Sequence, residues 1–267
     1  MPPGIQFRDV SFRIPARGSS PDRLLLDSIS FTIDEGSTTA ILGRSGSGKT
    51  TLLRTVNRMV DATSGEVFVA ARNVRDADLI ALRRGIGYVI QETGLFPHFN
   101  IERNVGLVLE AERRPKDERR RRSRELLATV GLDPESFASR SPHQLSGGQR
   151  QRVGLARALA AEPGILLMDE PFGALDPLTR AEMQDMLRDL LGTLQKTVLL
   201  VTHDLDEALY LADRIALLSE GKLIANLAPD EFLRSQEPEV VDYVRAFHRG
   251  ERQAAGAHRP PQDGGRG

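Results

Sequence analysis

The residues Gly43-Arg44-Ser45-Gly46-Ser47-Gly48-Lys49-Thr50 fit the pattern G-x-x-x-x-G-K-[ST]. The apolar run Thr38–Leu42 precedes them, and a helical pattern over Lys49–Met59 follows. Glycines let such a loop turn its backbone N–H groups toward an anion, and the start of the helix adds positive potential. The segment therefore predicts a strand, a phosphate-binding loop and a helix. A glycine-rich turn with a chance Lys-Thr pair is the weaker alternative, because strand and helix patterns flank the loop.

The side chains of this loop predict a site for a nucleoside triphosphate. We expect Lys49 to bridge the β- and γ-phosphates and the Thr50 hydroxyl to bind Mg²⁺. The residues expected to contact the nucleotide are Gly43, Arg44, Ser45, Gly46, Ser47, Gly48, Lys49, Thr50 and Thr51. The predicted cofactors are ATP and Mg²⁺.

Strand-like runs alternate with helical patterns along most of the chain. The runs are Ile5–Val10, Ile29–Ile33, Thr38–Leu42, Ile86–Ile90, Ile165–Met168, Thr197–Val201 and Ile215–Leu218. Continuous apolar strands alternating with helices indicate an α/β fold with a largely parallel sheet, covered on both faces. Residues 101–139 are instead polar, Arg-rich and helical, which predicts an inserted helical subdomain.

These patterns divide the chain into three parts. We assign the nucleotide-binding core to residues 1–92 and 146–235, and the helical subdomain to residues 93–145. Residues 236–267 are expected to form an amphipathic C-terminal helix around Val240–Phe247 and, from Gly250 onward, a disordered tail.

Polar side chains follow three further predicted strands. Asp169 and Glu170 end one strand, Gln91 follows another and His203 follows a third. Ligands of open α/β sheets bind at the carboxyl ends of strands. We expect Asp169 to hold Mg²⁺, Glu170 to act as general base, His203 to contact the γ-phosphate, and Gln91 to reach Mg²⁺ or the attacking water. Each position alone also fits a structural role, but together with the loop they predict one site.

A second glycine-rich segment comes later in the chain. Its residues are Ser146, Gly147, Gly148 and Gln149, and a helix over Arg150–Ala160 follows. Such a segment is another anion-binding arrangement. One nucleotide does not need two phosphate cradles in one chain, so we expect this one to close on a nucleotide bound to another copy. A plain helix N-cap is the alternative.

The composition limits the class of protein. The chain has 267 residues, no Cys and a formal net charge of −1, so disulfides are excluded and no general attraction to nucleic acid is expected. Its apolar runs are far shorter than the roughly 20 residues of a membrane-spanning helix, and residues 1–6 lack the pattern of a signal peptide. The Arg-rich run at residues 118–124 has acidic neighbours, which favours a solvated helix face. We expect a soluble cytosolic protein that reaches any membrane through a partner.

The order of these motifs resembles that of the ATP-binding-cassette (ABC) family, from about Ile5 to Leu233. The matching segments are Walker A (43–50), the Q-loop (Gln91), the signature (145–149), Walker B (165–170), the D-loop (174–176, with Asp176) and the switch His203. The resemblance implies a P-loop NTPase (RecA-like) core with an N-terminal antiparallel β subdomain and an inserted helical subdomain. It also implies a head-to-tail homodimer with two ATPs between Walker A and signature, and Asp176 among the residues of that site.

Residues 57–59, 82–91, 94–98 and 168–177 are similar to the ATPase subunits of importers for glycine betaine, carnitine or choline. That resemblance implies an osmoprotectant importer, an integral-membrane permease as partner, indirectly a solute-binding protein, and a position on the cytoplasmic face of the inner membrane. An importer for another small solute (an amino acid, methionine or phosphate) is the alternative, and a non-transport ABC ATPase is a weaker one.

Two departures from the family pattern stand out. The aromatic residue that stacks on adenine in relatives is matched here by Ile14, with Phe12 as a substitute. An aliphatic contact would lose a stacking contribution of roughly 0.5–1.5 kcal/mol. The residues after Phe232 are also too few for the paired regulatory domains that many relatives carry, so regulation of that kind is expected elsewhere.

Overall fold

A computed structural model describes residues 3–15, 22–91 and 93–256. Its strands are β1 (Pro3–Ile14), β2 (Arg23–Asp34), β3 (Thr38–Leu42), β4 (Ser64–Val69), β5 (Arg72–Asn73), β6 (Ile86–Val89), β7 (Ile165–Asp169), β8 (Thr197–Val201), β9 (Arg214–Ser219) and β10 (Lys222–Leu227). Its helices are α1 (Lys49–Val56), α2 (Leu79–Arg84), α3 (Ile101–Val105), α4 (Leu107–Ala111), α5 (Lys116–Thr129), α6 (Pro134–Phe137), α7 (Gly147–Leu159), α8 (Pro177–Leu194), α9 (Leu205–Leu211), α10 (Pro229–Leu233) and α11 (Pro238–Gly256).

The central sheet has the strand order β10-β9-β3-β8-β7-β6. Neighbouring strands from β9 to β6 are parallel, and β10 is antiparallel to β9. Every residue of β3, β7 and β8 is buried, as expected for strands covered on both faces. The predicted largely parallel sheet is confirmed.

A second, antiparallel sheet has the order β2-β1-β4-β5. The β1–β2 pairing runs from Pro3 opposite Asp34 to Ile14 opposite Arg23, so both strands are longer than their apolar runs predicted. Backbone pairing in a hairpin continues through polar residues, which apolar patterning does not register. With this sheet, the predicted P-loop fold with an antiparallel β subdomain is confirmed.

Of the hydrophobic clusters in the described residues, two cover the opposite faces of β7 and β8. Leu166, Met168 and Leu200 point to the face covered by helices including α3, α5, α7 and α8. Leu167 and Leu199 point to the other face, toward α1 and the antiparallel sheet. Burying one such side chain contributes roughly 1.5–3 kcal/mol, so these strands form a firmly held platform for the residues at their ends.

Helix α1 ends at Val56 instead of the predicted Met59. The Asn57 side-chain oxygen accepts a hydrogen bond from the Met59 backbone N–H at 3.1 Å, and Arg58 takes a left-handed conformation with φ +50°. Asn side chains compete with helical hydrogen bonds in this way, so the helix stops early.

The C-terminal residues differ from the prediction of a disordered tail from Gly250. Helix α11 continues through Gly256, so the prediction is wrong for residues 250–256, while residues 257–267 lie outside the described part. One glycine within a helix costs only about 1 kcal/mol, and good helix formers follow Gly250. In the part of the chain that the structure describes, no helix is long and apolar enough to cross a bilayer.

Candidate active site

The carboxyl ends of β3, β8, β7 and β6 lie side by side at one edge of the central sheet. The four strands are parallel in that order, so the residues that follow them face a common region. The structure brings Lys49, Thr50, Asp169, Glu170, Gln91 and His203 to this edge, linked pairwise by the contacts described below.

The phosphate loop curves tightly between β3 and α1. Gly48 has φ +100°, and a Cβ there would lie 2.6 Å from the Leu25 carbonyl oxygen, so the position accepts only glycine. Lys49 is 6 % exposed, and its Nζ donates to the carbonyl oxygens of Gly43 at 2.9 Å and Arg44 at 3.0 Å. The loop thus surrounds a cationic group and can hold an anion.

Burial lowers the pKa of Lys49, and the nearby carboxylates of Glu170 and Asp169 oppose that shift. The Ser47 hydroxyl oxygen is also buried, and it has no hydrogen-bond partner within the described residues. A buried polar group without a partner needs an explanation. A phosphate oxygen in the loop would supply the missing partner.

Thr50 and Asp169 form the candidate magnesium site. The Thr50 hydroxyl donates to Asp169 Oδ1 at 2.8 Å. In the part of the chain that the structure describes, no cluster of three or more His, Cys, Asp or Glu side chains could hold a metal. Mg²⁺ is usually held by one or two carboxylates together with substrate phosphates and waters, so a hydroxyl and a carboxylate beside a phosphate loop fit this ion.

Glu170 contacts two of the other predicted residues, Gln91 and His203. Its Oε2 lies 3.4 Å from Gln91 Nε2 and 3.4 Å from His203 Nδ1. The residue takes a left-handed conformation with φ +47°, which costs an L-residue roughly 1–2 kcal/mol. Its backbone N–H donates to the Val201 carbonyl oxygen at 2.9 Å and holds this turn against β8. Backbone strain of this kind occurs often at functional sites.

Sequence reasoning missed two residues that hold Asp169. The Tyr88 hydroxyl donates to Asp169 Oδ2 at 3.3 Å, and Arg54 Nε donates to the Tyr88 oxygen at 3.3 Å. Arg54 Nη2 also lies 3.6 Å from Asp169 Oδ2. Burial raises the pKa of Tyr88, so its hydroxyl stays a donor. Arg54 lies one helical turn after Thr50, and that spacing could have revealed it.

A second missed pair fixes the turn that carries His203. Glu207 is 4 % exposed, and the Thr202 hydroxyl donates to its Oε2 at 2.5 Å. The Asp204 backbone N–H donates to the Thr202 hydroxyl oxygen at 3.0 Å. Burial raises the pKa of Glu207. Thr202 and Asp204, the residues on both sides of His203, are therefore held by hydrogen bonds that include the buried Glu207.

The signature segment lies at the start of α7. The Ser146 hydroxyl accepts from the Gln149 backbone N–H at 3.3 Å, and the Gln149 side-chain oxygen accepts from the Ser146 N–H at 3.0 Å. The segment is a helix cap here, and within the described residues no hydrogen bond joins it to the phosphate loop. Its role at a second nucleotide stays a prediction.

Asp176 and Ile14 lie at other positions of the fold. The Asp176 carboxylate caps α8 by accepting from the Thr179 N–H at 3.1 Å. The Thr179 side chain, followed by this backbone bond, lowers the pKa of Asp176. Ile14 ends β1 and is 41 % exposed, while Phe12 packs against the core beneath the antiparallel sheet. A contact of Asp176 with the nucleotide, and of Ile14 with adenine, also stay predictions.

The sequence profile of the family described as ABC transporter matches residues 26–173. The chain belongs to the ABC transporter family. The matched residues include the phosphate loop and Glu170. This ABC chain also has the same fold as a solved structure, that of the ATP-binding cassette MJ0796 bound to ADP and Pi. The two are 35 % identical with a TM-score of 0.75, over 84 % of this chain and 98 % of that one.

Curated relatives give a narrower likeness. This ABC chain is 48 % identical to the glycine betaine/carnitine/choline transport ATP-binding protein OpuCA of Bacillus subtilis, over 81 % of this chain and 57 % of the relative. It is 46 % identical to the choline transport ATP-binding protein OpuBA of Bacillus subtilis, over the same shares. It is 43 % identical to the glycine betaine uptake system ATP-binding protein YehX of Escherichia coli, over 83 % of this chain and 71 % of the relative. The ABC chain thus spans little more than half the length of the first two.

Proposed function

We propose that this ABC chain is the ATP-hydrolysing subunit of an importer that carries an osmoprotectant such as glycine betaine, choline or carnitine across the cytoplasmic membrane. One observation carries the ATPase part: Lys49, Asp169 and Glu170 lie together where the phosphate loop meets the sheet edge. The cargo rests on the relatives, whose names describe transport of these same solutes.

The phosphate loop would bind the triphosphate of ATP through its backbone N–H groups, Lys49 and the Ser47 hydroxyl. Thr50 and Asp169 would hold Mg²⁺, with Gln91 within reach, and the ion would neutralise charge on the phosphate oxygens. Lys49 is already surrounded by the loop, so little reorganisation is needed when the anion binds.

Hydrolysis would begin at Glu170. Its carboxylate takes the proton of a water molecule while that water attacks the γ-phosphorus in line with the leaving ADP, which yields ADP and phosphate. Gln91 and His203 contact the same Glu170 oxygen, so they hold the base in place, and His203 also faces the γ-phosphate.

The proposed assembly has three kinds of partner. A second copy, head to tail, would place its Ser146–Gln149 segment and Asp176 over the ATP of the first. A permease in the membrane would contact residues 91–100, where Phe96 is 44 % exposed. A solute-binding protein would take part indirectly, and nucleic acid has no role. The chain would thus lie on the cytoplasmic face of the inner membrane.

Two measurements test this function. Purified protein is expected to release phosphate from ATP with Mg²⁺ and to stop when EDTA is added. In cells, a chromosomal Glu170→Gln change is expected to abolish this system's uptake of labelled glycine betaine, choline or carnitine and to leave methionine uptake unchanged. Loss of methionine or phosphate uptake instead would assign the importer to another small solute.

A further inference from the structure

Helix α11 is docked against the strand that leads into the phosphate loop. Val240 is fully buried, and Tyr243, Val244 and Phe247 pack against the same cluster, which includes Leu42 of β3. The spacing of these four residues forms one apolar stripe of a helix. The helix is therefore held beside Gly43, the first residue of the loop.

The Tyr243 hydroxyl lies between two parts of the candidate site. It donates to the His203 carbonyl oxygen at 3.2 Å. Burial raises the pKa of Tyr243 to about 12, and the nearby backbone of Gly43 opposes that rise. The hydroxyl therefore keeps its proton at neutral pH and can donate it to the His203 carbonyl oxygen.

The Tyr243 side chain lines a cavity beside the phosphate loop. A cavity of about 660 Å³ lies between α11 and the outer side of the phosphate loop, bordered by Arg44, Ser45, Asp242 and Tyr243. Tyr243 thus lies at the border between α11 and the phosphate loop.

We propose that Tyr243 is a positioning residue of the nucleotide site, whose hydroxyl ties α11 to the main chain of His203. Because α11 packs against the cluster that includes Leu42, directly before the phosphate loop, this tie sets the position of His203 relative to the loop. This inference rests on the proposed ATPase. It gives the C-terminal helix a part in turnover.

The test compares Tyr243→Phe, which keeps the ring and removes the hydroxyl, with Tyr210→Phe. Tyr210 is a matched control because its hydroxyl bonds to Asp185 on α8, outside the candidate site. In the full chain without nucleotide, Tyr243→Phe is expected to speed amide hydrogen exchange about three- to tenfold in residues 202–204, as expected for one lost hydrogen bond. Its kcat is expected to fall by about the same factor, with KM for ATP changed less than about twofold, while Tyr210→Phe matches the wild type.

Two results would overturn the inference. Unchanged exchange and unchanged kcat in Tyr243→Phe would show that the hydroxyl positions nothing. A fall in Tm together with a large rise in KM would show that Tyr243 only stabilises the fold. If the wild type neither binds nor hydrolyses ATP, the proposed function fails separately, and the exchange comparison still tests the tie.

Discussion

The phosphate loop and the signature segment are both glycine-rich starts of helices, yet their surroundings differ. The phosphate loop surrounds a lysine that is 6 % exposed, and the carboxylates of Asp169 and Glu170 act on it from the end of β7. At the signature, Ser146 is exposed and bonds to Gln149 of its own helix. The same local pattern forms a nearly complete site only where a sheet edge adds partners from distant parts of the chain.

The difference between the two segments also suggests which of them binds the triphosphate first. The triphosphate would enter at the phosphate loop, where Lys49, Ser47 and Thr50 are placed in advance. At the signature, a phosphate would have to compete with Gln149 for the Ser146 hydroxyl or use the free backbone N–H groups of α7. A segment without its own carboxylates or lysine is better suited to complete a site than to begin one.

Removing the base at the sheet edge is the strongest test of this comparison. Glu170→Gln is expected to lower kcat by about 100-fold or more, the usual contribution of a general base, because the amide cannot accept the proton. ATP binding is expected to persist, since Lys49 and the loop are unchanged, and an ATP-bound dimer should accumulate. Phosphate release and size-exclusion chromatography with ATP measure the two effects.

Glu182→Gln, on the exposed face of α8, is the matched control and should behave as the wild type. Turnover of Glu170→Gln equal to that of the control would remove Glu170 from the reaction. Loss of ATP binding would instead show that the phosphate loop is not complete without this carboxylate.

Mixed dimers test whether the signature completes the partner's site. When one chain carries Lys49→Ala and the other Ser146→Arg, both faults fall in one composite site and the second site stays intact. When both faults are in one chain, each site contains one. With differently tagged chains purified in tandem, the first dimer is expected to trap ATP at its intact site and the second to trap almost none. Equal trapping by the two dimers would contradict the head-to-tail arrangement.

The contrast between the two loops also explains how much of the site was predictable. Thr50 and Asp169 are 119 residues apart in the chain, yet both could be predicted because each belongs to a motif next to an apolar strand. The carboxyl ends of parallel strands lie at the same edge of a sheet, and ligands bind at that edge. Residues that follow such strands can therefore be assigned to the site without knowledge of side-chain geometry.

Apart from Arg54, the residues that were missed follow no such rule. Tyr88 lies within a strand, and the alternating direction of strand side chains gives no signal of which polar group its hydroxyl reaches. Tyr243 was expected in a helix, but its contact with His203 depends on where that helix docks, which apolar periodicity leaves open. Backbone pairing likewise extended β1 and β2 beyond their apolar runs.

A smaller effect on the ATPase rate is expected from a change at Tyr88. Tyr88 donates a hydrogen bond to Asp169, whereas the signature segment has no carboxylate to support. Tyr88→Phe removes one hydrogen bond to Asp169 and leaves Thr50 and Arg54 in place. Loss of one long hydrogen bond, worth about 0.5–1.5 kcal/mol, predicts a fall in ATPase rate of about two- to twelvefold at limiting Mg²⁺. A Mg²⁺ titration of the ATPase rate should show a higher half-saturating concentration and recovery at high Mg²⁺. The same titration curve in Tyr88→Phe and wild type would show that Tyr88 does not support the metal site.

The smallest effect is expected on stability, from a change at Glu207. This buried carboxyl lies near the turn that carries His203, and the exposed signature segment has no buried carboxyl of this kind. Burial raises its pKa, and the hydrogen bond from Thr202 opposes the rise; the nearby charge of Asp204 adds to the rise, and Arg180 and His203 also oppose it. The folded chain therefore binds this proton more tightly than the unfolded chain, so its stabilising effect is complete at low pH. The effect is lost as pH rises from the ordinary glutamate pKa through the raised one.

Glu207→Gln has no such proton but keeps an oxygen that accepts from Thr202. The difference in unfolding free energy, variant minus wild type, should therefore rise over the pH range that begins near the ordinary glutamate pKa of about 4.3, by about 1.4 kcal/mol for each unit of pKa difference. Urea denaturation across that range measures it, with Glu182→Gln as the exposed control. A difference that is constant with pH would mean that Glu207 titrates in the folded chain as it does in the unfolded one. In that case the turn that carries His203 would be held by the Thr202 hydrogen bond alone, without a contribution from the protonation of Glu207.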